Sequence, residues 1–536
     1  MTNPFEVAAG SDSNLAAALT SSPSTLAETA PSLSRSRFEV PEFDEEATLA
    51  GSMNAEKAQE VTVVVEENGV GGPVKFGGSK DMDDPKNWSK RRRWALTFLA
   101  AGLMTCATFA SSAPSGLTQQ TQDAYGCSDL QVTAIISLFV AGYVFGPLVV
   151  GPASEVFGRR PVMVLAFAFF TGFALGSALA ENIETMLVCR LFAGIAASTP
   201  LTLVGAIIAE LWHPHERSLP MGVFAIAPFG GPQLGPLISG FMGLKLPFSS
   251  VYWLVFAWAA TSLILTFACL PETYAPVLLV RKAQRLRESG QDPDAWATME
   301  RRQAQGCAKK LKGTLARPMV MLCTESTVFF MSLYCAVVYG VLARPSRFTF
   351  EPWYSMVFEG IYGLNAGLTG LMFIPLFVGG VVCVTILAPF FDRRQQAAIR
   401  AGKMERTPEI RLPPTFVGGP MFAISLFWFG WSSYTGKVHW AGPAASGFLF
   451  GIMQAFGSYL AESYGLYAAS ALAANTVLRS ILAALLPLAG RNMIDALGVQ
   501  WASTLLGGVA CVLVPVPFLF YRYGPALRAR SAYTSE

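Results

Sequence analysis

Charge is what this sequence has least of. Asp, Glu, Lys and Arg make up 14% of its 536 residues, where an average soluble domain carries about 25%. A soluble chain of this length needs a charged surface that this one cannot supply. A soluble enzyme, a disordered scaffold and a nucleic-acid-binding domain are excluded as first readings. Histidine is scarcer still, with three residues. His213 and His215 flank a proline in a short loop and lack further ligands, so no metal site is expected there. The nine cysteines are scattered without a CxxC or a clustered pair, which leaves neither a disulfide framework nor a zinc site. Most fall inside apolar runs, where Cys packs as a small hydrophobe. The chain has no GxxxxGK[ST] run to cradle ATP. It also has no cluster of catalytic side chains at a membrane face, so neither a cofactor nor enzyme activity is expected. The first 93 residues hold no apolar stretch of signal-peptide length.

What is present is apolar mass. Hydrophobic residues are 52% of the chain, with 38 Phe and 11 Trp, and the mean hydropathy is +0.42. A spanning helix needs about 20 mostly apolar residues. Twelve stretches qualify: 94–116, 131–152, 161–180, 186–210, 219–243, 251–271, 318–342, 366–390, 416–435, 441–460, 465–489 and 499–521. Helices are required, because lipid offers backbone groups no partner. The predicted fold class is an all-α membrane protein, with twelve transmembrane helices in two six-helix bundles. The expected domains are a disordered tail (1–93), a first bundle (94–271), a polar central loop (272–317), a second bundle (318–521) and a short C-terminal tail (522–536). The tail is Ser-, Ala- and Pro-rich and then acidic, with twelve acidic against four basic residues between Glu39 and Lys86, a composition that stays solvated.

The basic residues set the orientation. Counted over loops and flanks, twenty-eight Lys and Arg fall on the side of the termini and five on the other. Positive loops stay inside, so both termini are expected in the cytosol. Asn87-Trp88-Ser89 fits a glycosylation sequon, and the same asymmetry argues against its use. The two halves share a trace of duplication. Glu155 with Arg159 and Arg160 follows span 2, and Asp392 with Arg393 and Arg394 follows span 8. Internal repeats of this kind are common in transporters.

Ionisable groups inside spans are expensive and mark function. Arg190 lies near the outer end of span 4, and Arg479 lies inside span 11. Glu325 falls about 10 Å into span 7 at 1.5 Å per residue, and is the candidate proton carrier beside a structural ion pair as the alternative. Glu210 and Glu462 sit at inner helix ends. Arg281, Lys282, Arg285 and Arg287 in the central loop are expected to form a surface helix against anionic headgroups, with plain solvated charge as the alternative.

These residues resemble the major facilitator superfamily, and within it the fungal twelve-span drug:proton antiporter branch of polyamine and multidrug exporters. The resemblance covers roughly residues 84–530. It is carried by Asp84-Pro-Lys-Asn-Trp88-Ser before span 1, Gly151 to Arg160 in loop 2–3, and Leu187-Val-Cys-Arg190-Leu-Phe-Ala-Gly194 in span 4. Gly231-Pro232-Gln-Leu-Gly235-Pro236-Leu-Ile-Ser-Gly240 in span 5 and Leu270-Pro-Glu-Thr-Tyr-Ala-Pro276 after span 6 continue it. Pro408-Glu-Ile-Arg-Leu412, Tyr459-Leu-Ala-Glu462-Ser-Tyr464, Ala469-Ser470-Ala471 and Arg479-Ser480 complete it. The chain departs from the family in having Glu155, Glu210 and Glu462 where Asp is usual, Val156 where a base is usual, and Leu203 where a polar residue is frequent.

The resemblance implies that Glu155, with Gly151, Gly158, Arg159 and Arg160, latches the outward-open state. Gly151 would let helices approach closely, Gly158 would permit a tight turn, and the two arginines would face headgroups or helix C-termini. Gly231, Pro232, Gly235, Pro236 and Gly240 would make span 5 a close-packed, bent helix that seals the halves against ion leak. Arg190, Glu325 and Arg479 would lie on the substrate or proton pathway. Glu210, Arg217, Asp392, Arg393 and Glu462 would form charge contacts at the inner face. The expected function is proton antiport, exporting a drug, polyamine, organic acid or secondary metabolite (glycolipids included) by alternating access. An uptake symporter or a non-transporting sensor would use the same fold. The expected partners are the substrate, protons and membrane lipids, with no nucleic acid, for a monomer in the plasma membrane or an internal membrane such as the vacuolar one.

Overall fold

The computed structural model describes residues 73–78, 81–213, 216–300, 317–342, 354, 356–401, 409, 412–434, 436–453, 464 and 468–529. Within them the chain is almost wholly helical. Six long helices come first: α1 (Lys90–Ser112), α2 (Asp129–Phe157), α3 (Arg159–Ala178), α4 (Ile183–Leu211), α5 (Ser218–Gly243) and α6 (Ser249–Cys269). They match the first six predicted spans with ends shifted by no more than about a turn and a half. An amphipathic helix, α7 (Ala275–Glu288), follows. Then come α8 (Ser326–Leu342), α9 (Ala366–Leu371), α10 (Ile374–Val382), α11 (Ala388–Arg400), α12 (Pro413–Ser433), α13 (Ala441–Ile452), α14 (Ala468–Leu513) and α15 (Pro515–Ala529); α14 is two helices divided by a kink at Gly498, whose φ is +75°. Each predicted stretch is helical over most of its described residues. Among the described residues eight helices pass for membrane spans by length and hydropathy, and a ninth does so as a bent pair.

Local chemistry sets the helix starts. Ser128 and Gln131 form a reciprocal capping box at α2. Asn182 caps α4 by accepting a hydrogen bond from the Thr185 amide at 2.8 Å. Prolines inside α2, α4 and α5 are tolerated because neighbouring helices absorb the kinks.

Two large apolar cores form, beside a small cluster of Ile135, Ile183, Met186 and Tyr252. One draws on residues 88–270 and includes Phe109, Phe139 and Ile207. The other draws on residues 321–520 and includes Tyr354, Phe422 and Phe429. Large apolar side chains also face outward, among them Phe145, Phe169, Ile264, Trp428, Trp501 and Val512. In water this surface would be a liability; in lipid it is the normal exterior.

Span 7 departs from the sequence expectation. Arg317–Thr324 and the helix after it pass the span test together but are bent by 95°. Glu325 lies at that corner, so the estimate of about 10 Å of depth along a straight helix is corrected. Span 8, by contrast, passes the span test as one helix over Ala366–Gln395, with a π-helical widening at Cys383–Leu387 between α10 and α11.

The expectation of a disordered tail through residue 93 is corrected at its end. Residues 85–87 form a single 3-10 turn capped by Asp84, and α1 begins at Lys90. The earlier part, residues 1–72, lies outside the described residues.

On α2, close packing does not come from Gly151. A Cβ on Gly151 would meet nothing within 4 Å. Gly142, Gly146 and Gly194 instead hold α2 against α4: a Cβ at Gly142 would approach the Gly194 carbonyl carbon at 2.7 Å, and one at Gly146 would strike Ser198. Gly146→Val should therefore lower the unfolding midpoint of the purified protein by several degrees, consistent with about 1–3 kcal/mol for overpacking. Gly151→Ala should leave it unchanged. Thermal melts of both variants in detergent check this.

Candidate functional site

The starts of α1, α3, α5 and α7 and the ends of α2, α4 and α6 meet at one face, where the basic loops gather; it is called the basic face below. At its centre the chain turns from α2 into α3 through Gly158, whose φ is +96°. Only glycine takes that conformation without strain, and a Cβ there would also run into the Glu272 carboxylate. Glu272 is buried and accepts hydrogen bonds from four backbone amides. These are Arg159 at 2.9 Å, Arg160 at 3.3 Å, and Thr273 and Tyr274 at 3.0 Å each. An anion at the N-terminus of α3 meets its unpaired amides and the positive end of its dipole.

Arg159 closes the other side. Its Nε and Nη2 donate to Glu210 Oε1 at 3.1 and 3.0 Å, its Nη1 donates to Ser154, and its guanidinium lies 4.6 Å over the Tyr274 ring. The other oxygen of Glu210 accepts from Thr273 Oγ1 at 2.7 Å. Both side chains of the ion pair are largely buried. Such a pair adds little net stability, but losing one partner strands a buried charge and costs about 3–5 kcal/mol. Arg160 Nη2 donates to the Phe267 carbonyl in the last turn of α6 at 3.0 Å. That is the helix C-terminus rather than the headgroup of the two partners expected for it.

Glu155 lies on the last turn of α2, half-buried. The cations acting on its carboxylate are Arg159 and Arg317, the latter from the start of the second half. A second ion cluster joins α1 to the loop after α4. Arg93 Nη1 lies 3.0 Å and Lys90 Nζ 3.4 Å from the Glu216 carboxylate, and Arg93 also stacks 4.5 Å over Trp212. Partial desolvation pushes Glu216 up, but Arg93 and Lys90 outweigh it and hold the carboxyl below its ordinary value. Arg217 Nη2 donates to the carbonyls of Ala209 at 2.7 Å and Trp212 at 3.3 Å, capping the C-terminus of α4.

Arg190 is fully buried within α4. Its Nε donates to the Ile135 carbonyl of α2 at 3.2 Å, and its Nη2 to Ala110 and Ser111 of α1 at 2.9 and 3.4 Å. Its guanidinium lies 4.3 Å over Phe139. One charge thus fastens three helices through carbonyls that are already in helices.

In α5 the motif residues divide between two faces. Gly231 abuts Thr108 and Phe109 of α1, and Gly235 abuts Ser112, whose hydroxyl donates to the Gly231 carbonyl at 3.1 Å. Gly240 abuts Ala366 of α9, and the Pro236–Leu237 backbone meets Gly370 of α9. Pro232 and Pro236 stand within the helix. The first half thus meets the second along α5.

Glu325 is buried at the corner of span 7, where Tyr464 Oη donates to its Oε2 at 3.3 Å. Arg479 lies in α14, where its charge reaches Cys335 of α8. Asp392 and Arg393 lie within α11. Glu462 lies outside the described residues, as does His215. Among the described residues no group of three His, Cys, Asp or Glu could hold a metal ion.

Ser154, Gly194, Glu272, Thr273 and Tyr464 stand inside the sequence motifs named above without a role of their own, and Gly142 and Gly146 stand outside them. The available signal for Glu272 is an acid directly after a span with no base beside it. The motif marks Tyr464 but not its partner, which is 139 residues away.

The sequence profile of the Major Facilitator Superfamily matches residues 94–487. The MFS-type transporter paaT of Penicillium rubens is 37% identical over 458 residues, covering 84% of this chain and 82% of that one. The efflux pump FUB11 of Gibberella moniliformis is 36% identical over 450 residues, covering 83% and 75%. Among solved structures, the proton:xylose symporter XylE aligns with a TM-score of 0.55 at 14% identity, over 81% of this chain and 96% of that one.

The Glu272 carboxylate is the point at which four amides lose their partner together. Glu272→Gln turns an amide donor toward backbone donors and should destabilise the protein by about 1–3 kcal/mol. A drop in melting temperature at unchanged expression is the expected reading.

Proposed function

The chain belongs to the Major Facilitator Superfamily, and from that premise we propose that it is a proton-coupled antiporter exporting a small organic molecule from the cytosol. As a superfamily member it is a multi-pass membrane transporter and not an enzyme. The observation that carries the export reading is the likeness, over most of its length, to relatives named as transporters and efflux pumps. Drugs, polyamines, organic acids and secondary metabolites are the candidate cargo.

The geometry supports a division of labour. The basic face is the cytosolic face, and the membrane is the plasma membrane. Glu155, whose carboxylate is acted on by Arg159 of its own half and Arg317 of the other, acts as the latch that holds this face shut. The Arg159–Glu210 pair and Glu272 keep the turn beneath it rigid. Alternating access then requires the halves to rock along α5, whose two glycine-bearing faces touch α1 and α9. Arg190 and Arg479 line the pathway, and Glu325 carries the coupled proton. A carboxylate at a helix corner suits that role, because a break in a span leaves backbone and side chain open to rearrangement.

Three variants test this reading in proteoliposomes and in cells. Glu155→Gln at wild-type surface abundance should cut export several-fold; normal export would remove Glu155 from the gate. Gly235→Leu should abolish export, because even a Cβ there would lie 2.6 Å from the Ser112 Cβ. Glu325→Gln should abolish proton-driven accumulation while sparing substrate exchange, and proton-driven flux at the wild-type rate would exclude it as carrier. A deletion strain should retain the cargo inside and lack it outside. Substrate entering under external acid would instead make the protein a symporter, and no flux at all would make it a sensor.

A further inference from the structure

Three cations of the basic helix after span 6 have acidic partners already, two of them in the chain's own N-terminal lead-in. Lys282 of α7 lies 2.5 Å from Asp81, and Arg285 lies 3.1 Å from Asp83. Arg287 pairs with Glu300 at 2.6 Å, within the loop that α7 opens. Of the four cations expected to face headgroups, Arg281 alone is given no acidic partner among the described residues.

The lead-in is folded to make these contacts. Asn87 Nδ2 donates to the carbonyls of Gly78 at 2.8 Å and Asp81 at 2.9 Å, and Trp88 Nε1 donates to the Met82 carbonyl at 3.0 Å. Trp88 is buried beneath the Arg92 guanidinium, 4.0 Å away. Asp81 also accepts from the amides of Gly77 at 2.7 Å and Asp83 at 3.0 Å. Further out, the Val74 amide donates to the Trp296 carbonyl at 2.9 Å, so the strand-like end of the lead-in pairs beyond α7. The 3-10 turn at Pro85–Asn87 rests against α4.

We propose that residues 73–78 and 81–88 form a strap that supplies the counter-ions of Lys282 and Arg285 in α7 in place of anionic lipid, bracketing the entry of span 1 to the exit of span 6. The motif Asp84-Pro-Lys-Asn-Trp-Ser then has a physical role: its Asn and Trp shape the turn that presents Asp81 and Asp83. The Lys282–Asp81 pair is the stronger link, since both side chains are mostly shielded, whereas Arg285 is well exposed and its pair is screened by salt. The hydrogen bond from Lys282, ahead of that from Gly77, holds the Asp81 carboxyl down at about 2. A depressed carboxyl contributes stability above its ordinary value and loses it only as pH falls toward 2, so the strap stays charged at any cytosolic pH.

The test is hydrogen–deuterium exchange of peptides spanning 275–288 in the full-length protein. The protein is reconstituted in nanodiscs of pure phosphatidylcholine or of phosphatidylcholine with 30% phosphatidylserine. Wild-type α7 should be equally protected in both lipids. Asp81→Asn with Asp83→Asn should exchange at least tenfold faster in neutral lipid and recover part of its protection in the anionic one. Asp81→Asn and Lys282→Met should each raise exchange, and the double variant should be no faster than either alone. Wild-type protection that depends on phosphatidylserine would overturn the proposal, as would a paired-aspartate variant protected like wild type in neutral lipid. Additive effects of Asp81→Asn and Lys282→Met would do the same. Exchange in the rest of α1 and α6 reports whether each variant is folded, and none of these readings depends on what is transported or in which direction.

Discussion

Lipid supplies no partner for a backbone amide, a carbonyl or a charge, and that constraint organises this molecule. It makes every span a helix, and then it decides how helices join. Arg190 shows the logic in one residue. Its charge is placed in the bundle without a carboxylate among its hydrogen-bond acceptors; it uses carbonyls of α1 and α2, whose second lone pairs remain free after the helical hydrogen bond. The helices it touches cannot separate without stranding a buried guanidinium. The packing of Gly142 and Gly146 against α4 keeps α2 close enough for that reach.

At the basic face the same constraint works through helix ends. A helix end leaves four unsatisfied backbone groups, and a half-buried end needs them met by side chains. Glu272 meets amides at the start of α3, and Arg160 and Arg217 meet carbonyls at the ends of α6 and α4. A break in one contact frees a helix end as well as a charge. Under the proposed gating role, the charges of Arg159, Glu210 and Glu272 are also the ones the local fold is built on, so stability and gating would not be tuned separately there.

The sequence made the spans legible because their signal is long and one-dimensional: about 20 apolar residues read as a helix whatever surrounds them. It also showed the conformational need at Gly158, because a turn between two spans restricts the backbone directly. What it could not show depends on the neighbour. Gly151 and Gly146 look alike in sequence, and only the crossing of α2 with α4 tells which faces a backbone. The bend at Glu325 has no glycine or proline beside it to announce it, so a straight helix was the natural expectation. The central-loop cations were assigned to lipid because Asp81 and Asp83 lie about two hundred residues away in the chain.

The duplication between the halves is weaker in space than in sequence. In the first half an acid and two arginines straddle a positive-φ glycine, so that Arg159 turns back to Glu210 and its amide reaches Glu272. In the second half Asp392, Arg393 and Arg394 follow one another inside α11, a continuous helix. Consecutive residues of a helix point about 100° apart, and no glycine breaks the helix to turn an amide outward. The same residue types therefore cannot build the same anion site. The ion-paired turn belongs to the first half, while the second offers, at its own entry, a bent span with a buried carboxylate at the corner. The two halves therefore meet the lack of partners in lipid differently: the first with side chains that satisfy helix ends around a turn, the second with a corner whose carboxylate accepts from a tyrosine hydroxyl.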